Sequence, residues 1–128
     1  MRHRKKKGIL SRKKAPREAL LRNLAGQLIM HEKIKTTESK AKILKSVVEK
    51  LISTARENTV VNRRKIKKIL YSEKQINKLF SEITPRLKKR KSGYLRISKL
   101  GNRKGDNAAI VQIEILNGDE KKQTPKSK

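Results

Sequence analysis

Residues 93–116 read GYLRISKLGNRKGDNAAIVQIEIL, and the nature of this stretch decides the fold class. Its apolar residues alternate with polar ones at both ends, and a polar segment containing glycine and asparagine separates the ends. Alternation with a period of two predicts two β-strands, over residues 94–100 and 109–116. The connection between them, residues 101–108, is longer than a hairpin requires, which suggests that the loop has a function of its own.

The chain before this stretch has the longer period of amphipathic helices, with apolar residues three or four positions apart. Four helices are predicted: from Pro16 to about His31, from a cap at Thr37 or Ser39 to Asn58, from Val61 to Leu70, and from Glu73, capped by Ser72, to Ile83, with Pro85 as the stop. Between the first two helices, residues 33–37 read KIKTT and predict a short edge strand, because β-branched residues stand among charges.

The predicted elements therefore form an α+β two-layer domain in which helices pack on one face of a small three-stranded mixed sheet. We expect three regions in the chain: a basic N-terminal extension at residues 1–14, a single domain at residues 15–116, and a flexible tail at residues 117–128. The tail is polar and lacks an apolar anchor.

The charge balance indicates a polyanionic partner. The chain has 128 residues, with 37 Lys plus Arg against 11 Asp plus Glu, and a formal net charge of +26. Such a charge repels itself in a compact state unless a polyanion is present. Nucleic acid is the first expectation, an anionic membrane surface the second and an acidic protein the third.

Several classes of protein are disfavoured by what the sequence lacks. Cysteine is absent, so disulfides, thiolate nucleophiles and cysteine zinc sites are excluded. No apolar run approaches the roughly 18 residues of a membrane span, and the basic start is followed only by Gly8, Ile9 and Leu10, so no secretory signal is predicted. The alternative of a mitochondrial transit peptide fits poorly, because the leader is dense in charge rather than amphipathic. We expect a cytoplasmic protein without membrane insertion.

No catalytic centre is predicted. Only His3 and His31 supply imidazoles, and no cluster of acids, serines or histidines has the spacing of a metal or nucleophilic site. Gly101 and Gly105 lack the Lys-Ser or Lys-Thr ending of a nucleotide-binding loop. We expect no enzymatic activity, no cofactor, no metal and no small-molecule substrate.

The basic residues recur at separated places: in the extension, at residue 22, at residues 62–65, along residues 86–91 and around the loop at residues 101–108. A single cluster is ordinarily a solvated face, but this interpretation is harder to sustain for all of them together. Lysine and arginine neutralise phosphates and release counterions, so these clusters are candidate contacts to nucleic acid.

Aromatic residues are scarce, at 2 % of the chain, which disfavours a base-stacking platform of the RNA-recognition or OB type. Phe80 is assigned to the core, Tyr71 is left open, and Tyr94 beside Gly93 is expected to stack on a base. Recognition of a folded RNA by its shape and backbone is favoured. A nucleoid-type, DNA-compacting protein stays as the alternative, although the predicted strands and the absence of helix-turn-helix spacing weigh against it.

A set of motifs occurs along the chain in one order: residues 1–4 MRHR, 17–24 REALLRNL, 31–37 HEKIKTT, 40–42 KAK, 62–64 NRR, 79–80 LF, 85–86 PR, 93–97 GYLRI and 101–108 GNRKGDNA. Together they resemble the bacterial large-subunit ribosomal protein family numbered seventeen, over residues 1 to about 116. The resemblance implies an α-β-α-α-α-β-β fold and a structural component of the large ribosomal subunit that supports assembly and translation. It also implies that the partners are large-subunit rRNA and neighbouring ribosomal proteins.

The basic clusters and the matching motifs together define the candidate rRNA-binding residues. They are Arg2, His3, Arg4, Lys5, Lys6, Lys7, Arg12, Lys13, Lys14, Arg17, Arg22, Asn23, Lys35, Thr36, Lys40, Arg63, Arg64, Arg86, Lys88, Arg90, Tyr94, Arg96, Lys99, Asn102, Arg103, Lys104 and Asn107.

Overall fold

The computed structural model of the protein describes His3 and residues 8–118. Its elements follow the order that the sequence predicts: α1 (Lys14–His31), β1 (Lys33–Thr37), α2 (Glu38–Ala55), α3 (Val60–Lys67), α4 (Glu73–Lys78), β2 (Leu95–Asn102) and β3 (Ala109–Ile115). Residues 119–128 of the predicted C-terminal tail, and residues 1, 2 and 4–7 of the predicted N-terminal extension, lie outside the described residues. No helix in the described part of the chain is long and apolar enough to cross a membrane.

The three strands form one sheet in the order β1-β3-β2, and both pairings are antiparallel. The expectation of a mixed sheet is therefore wrong. The strands β1 and β2 run in the same direction, but β3 lies between them, so no parallel pair forms. Ile113 of β3 is paired with Ile34 on one side and with Ile97 on the other.

The helices cover one face of the sheet, as the two-layer prediction requires. Val111, Ile113 and Ile115 of the central strand point to the covered face and are buried. The intervening Gln112 and Glu114 lie on the opposite face and are only partly buried. Strict alternation along β3 thus separates an apolar core from a polar outer surface.

The helix α2 supplies the longest apolar stripe of the core. Six apolar residues of this helix are buried: Ala41, Leu44, Val48, Leu51, Ile52 and Ala55. They recur three or four residues apart and so fall on one side of the helix. Leu28 and Ile29 of α1 join the same core cluster, which fixes α1 against α2.

The helix α4 continues beyond the predicted end at Ile83. A π-helical stretch (Leu79–Ile83) and a last turn (Thr84–Arg86) extend it through Pro85, so the prediction that Pro85 stops the helix is wrong. The wider π turn relieves the clash between the prolyl ring and the preceding turn. The Thr84 hydroxyl adds a hydrogen bond to the Leu79 carbonyl at 2.7 Å.

The strand β2 is longer than predicted because it passes through a β-bulge. The register shifts between Lys99 and Gly101, and the chain then pairs again up to Asn102. Gly101 has φ of +128°, which only glycine adopts readily. The bulge shortens the connecting loop to residues 103–108.

Candidate nucleic-acid interface

The N-terminal extension approaches the domain along α2. Arg2 and the candidates at residues 4–7 lie outside the described residues. At Gly8, an added Cβ would lie 2.2 Å from Ile43 Cδ1, so the chain passes close to α2 at this point. A tight turn follows, in which Leu10 and Ser11 both have left-handed φ and the Arg12 N–H donates to the Ile9 carbonyl at 3.2 Å.

This turn directs the basic residues of the extension to the start of α1. Arg12, Lys13 and Lys14 are all exposed there. The Arg17 guanidinium donates to the Arg12 carbonyl at 3.4 Å and connects the turn to the first turn of the helix. The candidates of the extension that the structure describes thus lie together around the N-terminus of α1, except for His3, which is exposed upstream.

The next candidates on α1 differ in their surroundings. Asn23 is exposed, whereas Arg22 is half-buried. The Cζ atom of Arg22 lies 4.1 Å from the centroid of the Tyr71 ring, a cation–π arrangement that joins α1 to the segment just before α4.

The loop of residues 103–108 is ordered by its own acid. Asp106 accepts hydrogen bonds from the Arg103 Nε at 3.0 Å and from the Ala108 backbone N–H at 3.2 Å. The bonds from the Arg103 guanidinium and from Ala108 lower the pKa of Asp106 from 3.8 to about 2. Lys104 and Asn107 remain exposed beside this pair. The loop therefore presents polar groups on a backbone that is set by internal bonds.

A second basic surface lies on α3. The Arg63 Nε donates to the Asn58 side-chain oxygen at 2.7 Å, and its Cζ lies 4.6 Å from the centroid of the Phe80 ring. Phe80 itself is buried, as predicted. Arg64, the neighbouring candidate, is exposed. The two contacts hold Arg63 at the surface in a defined orientation.

The outer face of the sheet is a third, less basic surface. Glu114 at its centre is paired with Lys33 at 3.8 Å and with Arg96 at 3.3 Å. Lys35 is exposed on this face, opposite Gln112. The charge of Arg96 is therefore shared with an internal acid.

The candidates near the N-terminal end of α2 are divided between surface and interior. Thr36 shares the helix-covered face with Val111 and is half-buried, so its side chain does not belong to the outer surface. Lys40 is half-buried in the first turn of α2. Lys99 and Asn102, at the far end of β2, are exposed.

Arg86 is an internal clamp rather than an open surface cation. Its guanidinium donates to Glu32 at 2.8 Å, and the Lys78 ammonium lies 3.5 Å from the same carboxylate. The hydrogen bond from Arg86 and the two positive charges hold the pKa of Glu32 below its usual range. The Glu32 backbone carbonyl also accepts from the Ile115 N–H at 2.9 Å. The cluster thus joins the end of α1 to the end of the α4 segment and to β3.

Tyr94 is not positioned to stack on a base. Its residue surface is 1 % exposed, within the core cluster. Its hydroxyl donates to the Lys91 carbonyl at 2.9 Å and accepts from the Arg56 guanidinium at 3.3 Å. Because a nucleobase needs an open ring face, the expectation for Tyr94 is wrong.

Two candidates follow the α4 segment. Lys88 has an exposed side chain, and its backbone carbonyl accepts from Arg56 at 3.3 Å. Arg90 is half-buried. Arg56 was not among the sequence candidates, because nothing in its position at the end of α2 indicates that it braces this segment.

Tyr71 is the surface aromatic that sequence reasoning left open. It precedes Ser72 at the start of α4, and 65 % of its surface is exposed. The one signal in the sequence was its place outside the apolar stripe formed by Leu70 and Ile76, both of which are buried.

Several of the acidic side chains form ion pairs within the domain. Glu32, Glu38, Glu73, Asp106 and Glu114 each lie within 4 Å of a lysine or arginine nitrogen. No group of three or more potential metal ligands occurs among the described residues. The surface that remains is dominated by positive charge.

Two comparisons with known proteins show the family of this chain. The family model described as ribosomal protein L17 matches residues 20–116. A relative from Rubrobacter xylanophilus, named large ribosomal subunit protein bL17, is 46 % identical over 117 residues, which cover 91 % of this chain and 97 % of the relative. The match includes α2, the α4 segment and the whole sheet. The chain belongs to the ribosomal protein L17 family.

Proposed function

We propose that this protein is a non-catalytic structural component of the large ribosomal subunit that binds large-subunit rRNA through its basic extension and basic loops. Membership of the ribosomal protein L17 family carries the proposal. In this role the protein lies in the cytoplasm with the ribosome, contacts neighbouring ribosomal proteins and supports subunit assembly and translation. It has no small-molecule substrate and no cofactor.

The charge distribution supports a polyanionic partner. The formal net charge is +26, and five of the acids are already paired within the domain. Phosphates of RNA neutralise the remaining cations and release condensed counterions, which is favourable at low salt. The extension has few apolar residues, so we expect its contact with RNA to depend on charge rather than on apolar burial.

The two ends of the proposed interface bind in different ways. The extension around Arg12 and Lys13 supplies charge without reading sequence. The loop of residues 103–108 is held by the Arg103–Asp106 pair before binding, so it loses little conformational entropy on contact with RNA. Lys104 and Asn107 then meet phosphate and sugar groups.

A competition experiment tests the assignment to rRNA. Labelled large-subunit rRNA and duplex DNA of equal length compete for the purified protein at several salt concentrations. We expect a clear preference for rRNA and co-sedimentation of the native protein with large subunits. Equal affinity for DNA and rRNA, together with sedimentation away from subunits at low salt, would instead favour a DNA-compacting protein.

A deletion tests the extension. Removing residues 2–13 leaves α1 and the core intact, so the thermal transition stays near that of the full chain. The affinity for rRNA falls, and the slope of log K against log salt decreases by roughly 0.7 to 0.9 for each phosphate that the shortened chain no longer neutralises. Lys50→Gln, at an exposed position on α2, is the matched single-charge control. An unchanged slope after the deletion would remove the extension from the interface.

A further inference from the structure

We propose that the open face of Tyr71, braced from behind by Arg22, is a stacking site for an unpaired nucleobase of RNA. This inference rests on the proposed rRNA-binding function and adds to it one specific contact. No motif or charge cluster in the sequence indicates Tyr71 as a binding residue.

Tyr71 is not needed to pack the core. Leu70 before it and Ile76 after it are both buried, so the chain anchors the start of α4 without the tyrosine. The ring nevertheless has 65 % of its residue surface in solvent. Phe80 and Tyr94, the other two aromatic residues of the chain, are buried, so Tyr71 is the one ring that is accessible for stacking on a base.

Arg22 covers one face of the ring and leaves the other open. Its Cζ atom lies 4.1 Å from the ring centroid. A tyrosine with one face covered keeps this much exposed surface only when the opposite face is in solvent. The Arg22 Nε is buried and has no hydrogen-bond acceptor among the residues that the structure describes, so the stacking on Tyr71 is what orients this guanidinium.

The neighbouring turn of α1 packs against the start of α4. Gly26 lies one turn after Arg22 on α1, and Gln75 lies in the first turn of α4, which begins two residues after Tyr71. A Cβ on Gly26 would come within 2.4 Å of the Gln75 side-chain nitrogen, so the missing side chain lets α4 approach α1 closely. The turn of α1 that follows Arg22 and the helix that follows Tyr71 are thus in contact.

The surroundings favour a nucleotide over a protein side chain. The exposed lysines Lys68 and Lys74 flank Tyr71 in sequence, and Arg22 already occupies the position that a cationic partner residue would take. A stacked base brings a phosphate to this positive surface, and every base has a π face that suits an open aromatic ring. The site therefore takes an unpaired base of either kind, purine or pyrimidine.

The test compares Tyr71→Leu, which keeps apolar bulk, with Tyr71→Phe, which keeps the stacking ring. Binding of each full-length variant to large-subunit rRNA is measured over a salt series. We expect Tyr71→Leu to weaken binding by roughly 5- to 100-fold, while Tyr71→Phe stays within about twofold of wild type. The salt slope stays unchanged in both, because stacking releases no counterions.

Controls separate this contact from folding and from the proposed function. Tyr71→Leu should keep a cooperative thermal transition that is lowered by only a few degrees, because an exposed cation–π contact contributes little to the free energy of unfolding. Val60→Ala, at another exposed apolar position, should leave affinity unchanged. Wild-type affinity of Tyr71→Leu for rRNA would overturn the stacking site while leaving rRNA binding intact. The same result combined with poor incorporation into subunits would identify a protein as the occupant and also overturn it. Loss of the preference for rRNA in the wild type would instead refute the proposed function.

Discussion

Replacing the buried Tyr94 by phenylalanine separates its structural role from RNA contact. The change removes only the hydroxyl, which donates to the Lys91 carbonyl at 2.9 Å and accepts from Arg56 at 3.3 Å. Arg56 is exposed and regains water when the hydroxyl is removed, so the bond to Lys91 dominates the effect. One such hydrogen bond contributes about 1 kcal/mol to the free energy of unfolding.

For a domain of this size, that change lowers the melting temperature by about 4 to 8 °C. Circular dichroism at 222 nm at fixed salt measures the transition, and filter binding measures the affinity for rRNA below it. We expect Tyr94→Phe to lower the melting temperature and to bind rRNA as wild type does. Tyr71→Phe is the matched control, because the chain has only two tyrosines and Tyr71 is exposed. Unchanged stability together with weaker rRNA binding in Tyr94→Phe would refute the assignment of Tyr94 to the core.

Three further outcomes follow from the core and from the ion pairs. Val48→Asp places an unpaired carboxylate at a position with no exposed surface, so the cooperative unfolding transition should disappear. Val48→Ala should retain the transition, with the free energy of unfolding lowered by roughly 2 kcal/mol because two buried methyl groups are lost. The pKa of Glu32 is lower in the folded protein than its usual 4.5, so the stability that its carboxylate contributes is present above about pH 4.5 and is lost as the pH falls. When the free energy of unfolding in urea is measured against pH, Glu32→Gln should therefore show a smaller decrease on the acid side than wild type. The pKa of Asp106 is lowered to about 2, so the loop should keep its order from neutral pH down to about pH 3 and lose it near pH 2. The amide resonance of Gly105 in a pH titration measures this change. A transition near pH 4 would show that the pair with Arg103 does not form in solution.

The periodic parts of the chain were predictable because each element follows from local sequence. The strand at residues 33–37 has the predicted bounds, and the buried stripe of α2 is the one that its spacing indicates. The two C-terminal strands follow from alternation over a few residues. In these segments the spacing of the apolar residues matches the repeat of the backbone, about 3.6 residues in a helix and two in a strand, so the sequence pattern indicates the element.

The predictions failed where a local break in the regular backbone, or the order of the strands in the sheet, decides the outcome. Pro85 stays helical because a π turn precedes it, and β2 continues past Lys99 because Gly101 allows a bulge. The sheet is antiparallel throughout because β3 lies between two strands that are separated by three helices in the chain. Propensity within a short window does not contain these relations.

By itself, the sequence determined the fold class, the excess of positive charge and the family, because composition, periodicity and ordered motifs are properties of the linear chain. Only the tertiary structure decided which side chains are buried, which are paired and which are exposed. Arg86 is paired with Glu32, which is 54 residues away, Tyr94 lies inside the core, and Tyr71 is presented at the surface by Arg22. Burial and ion pairing depend on which elements pack together, and that packing joins residues that no local pattern connects.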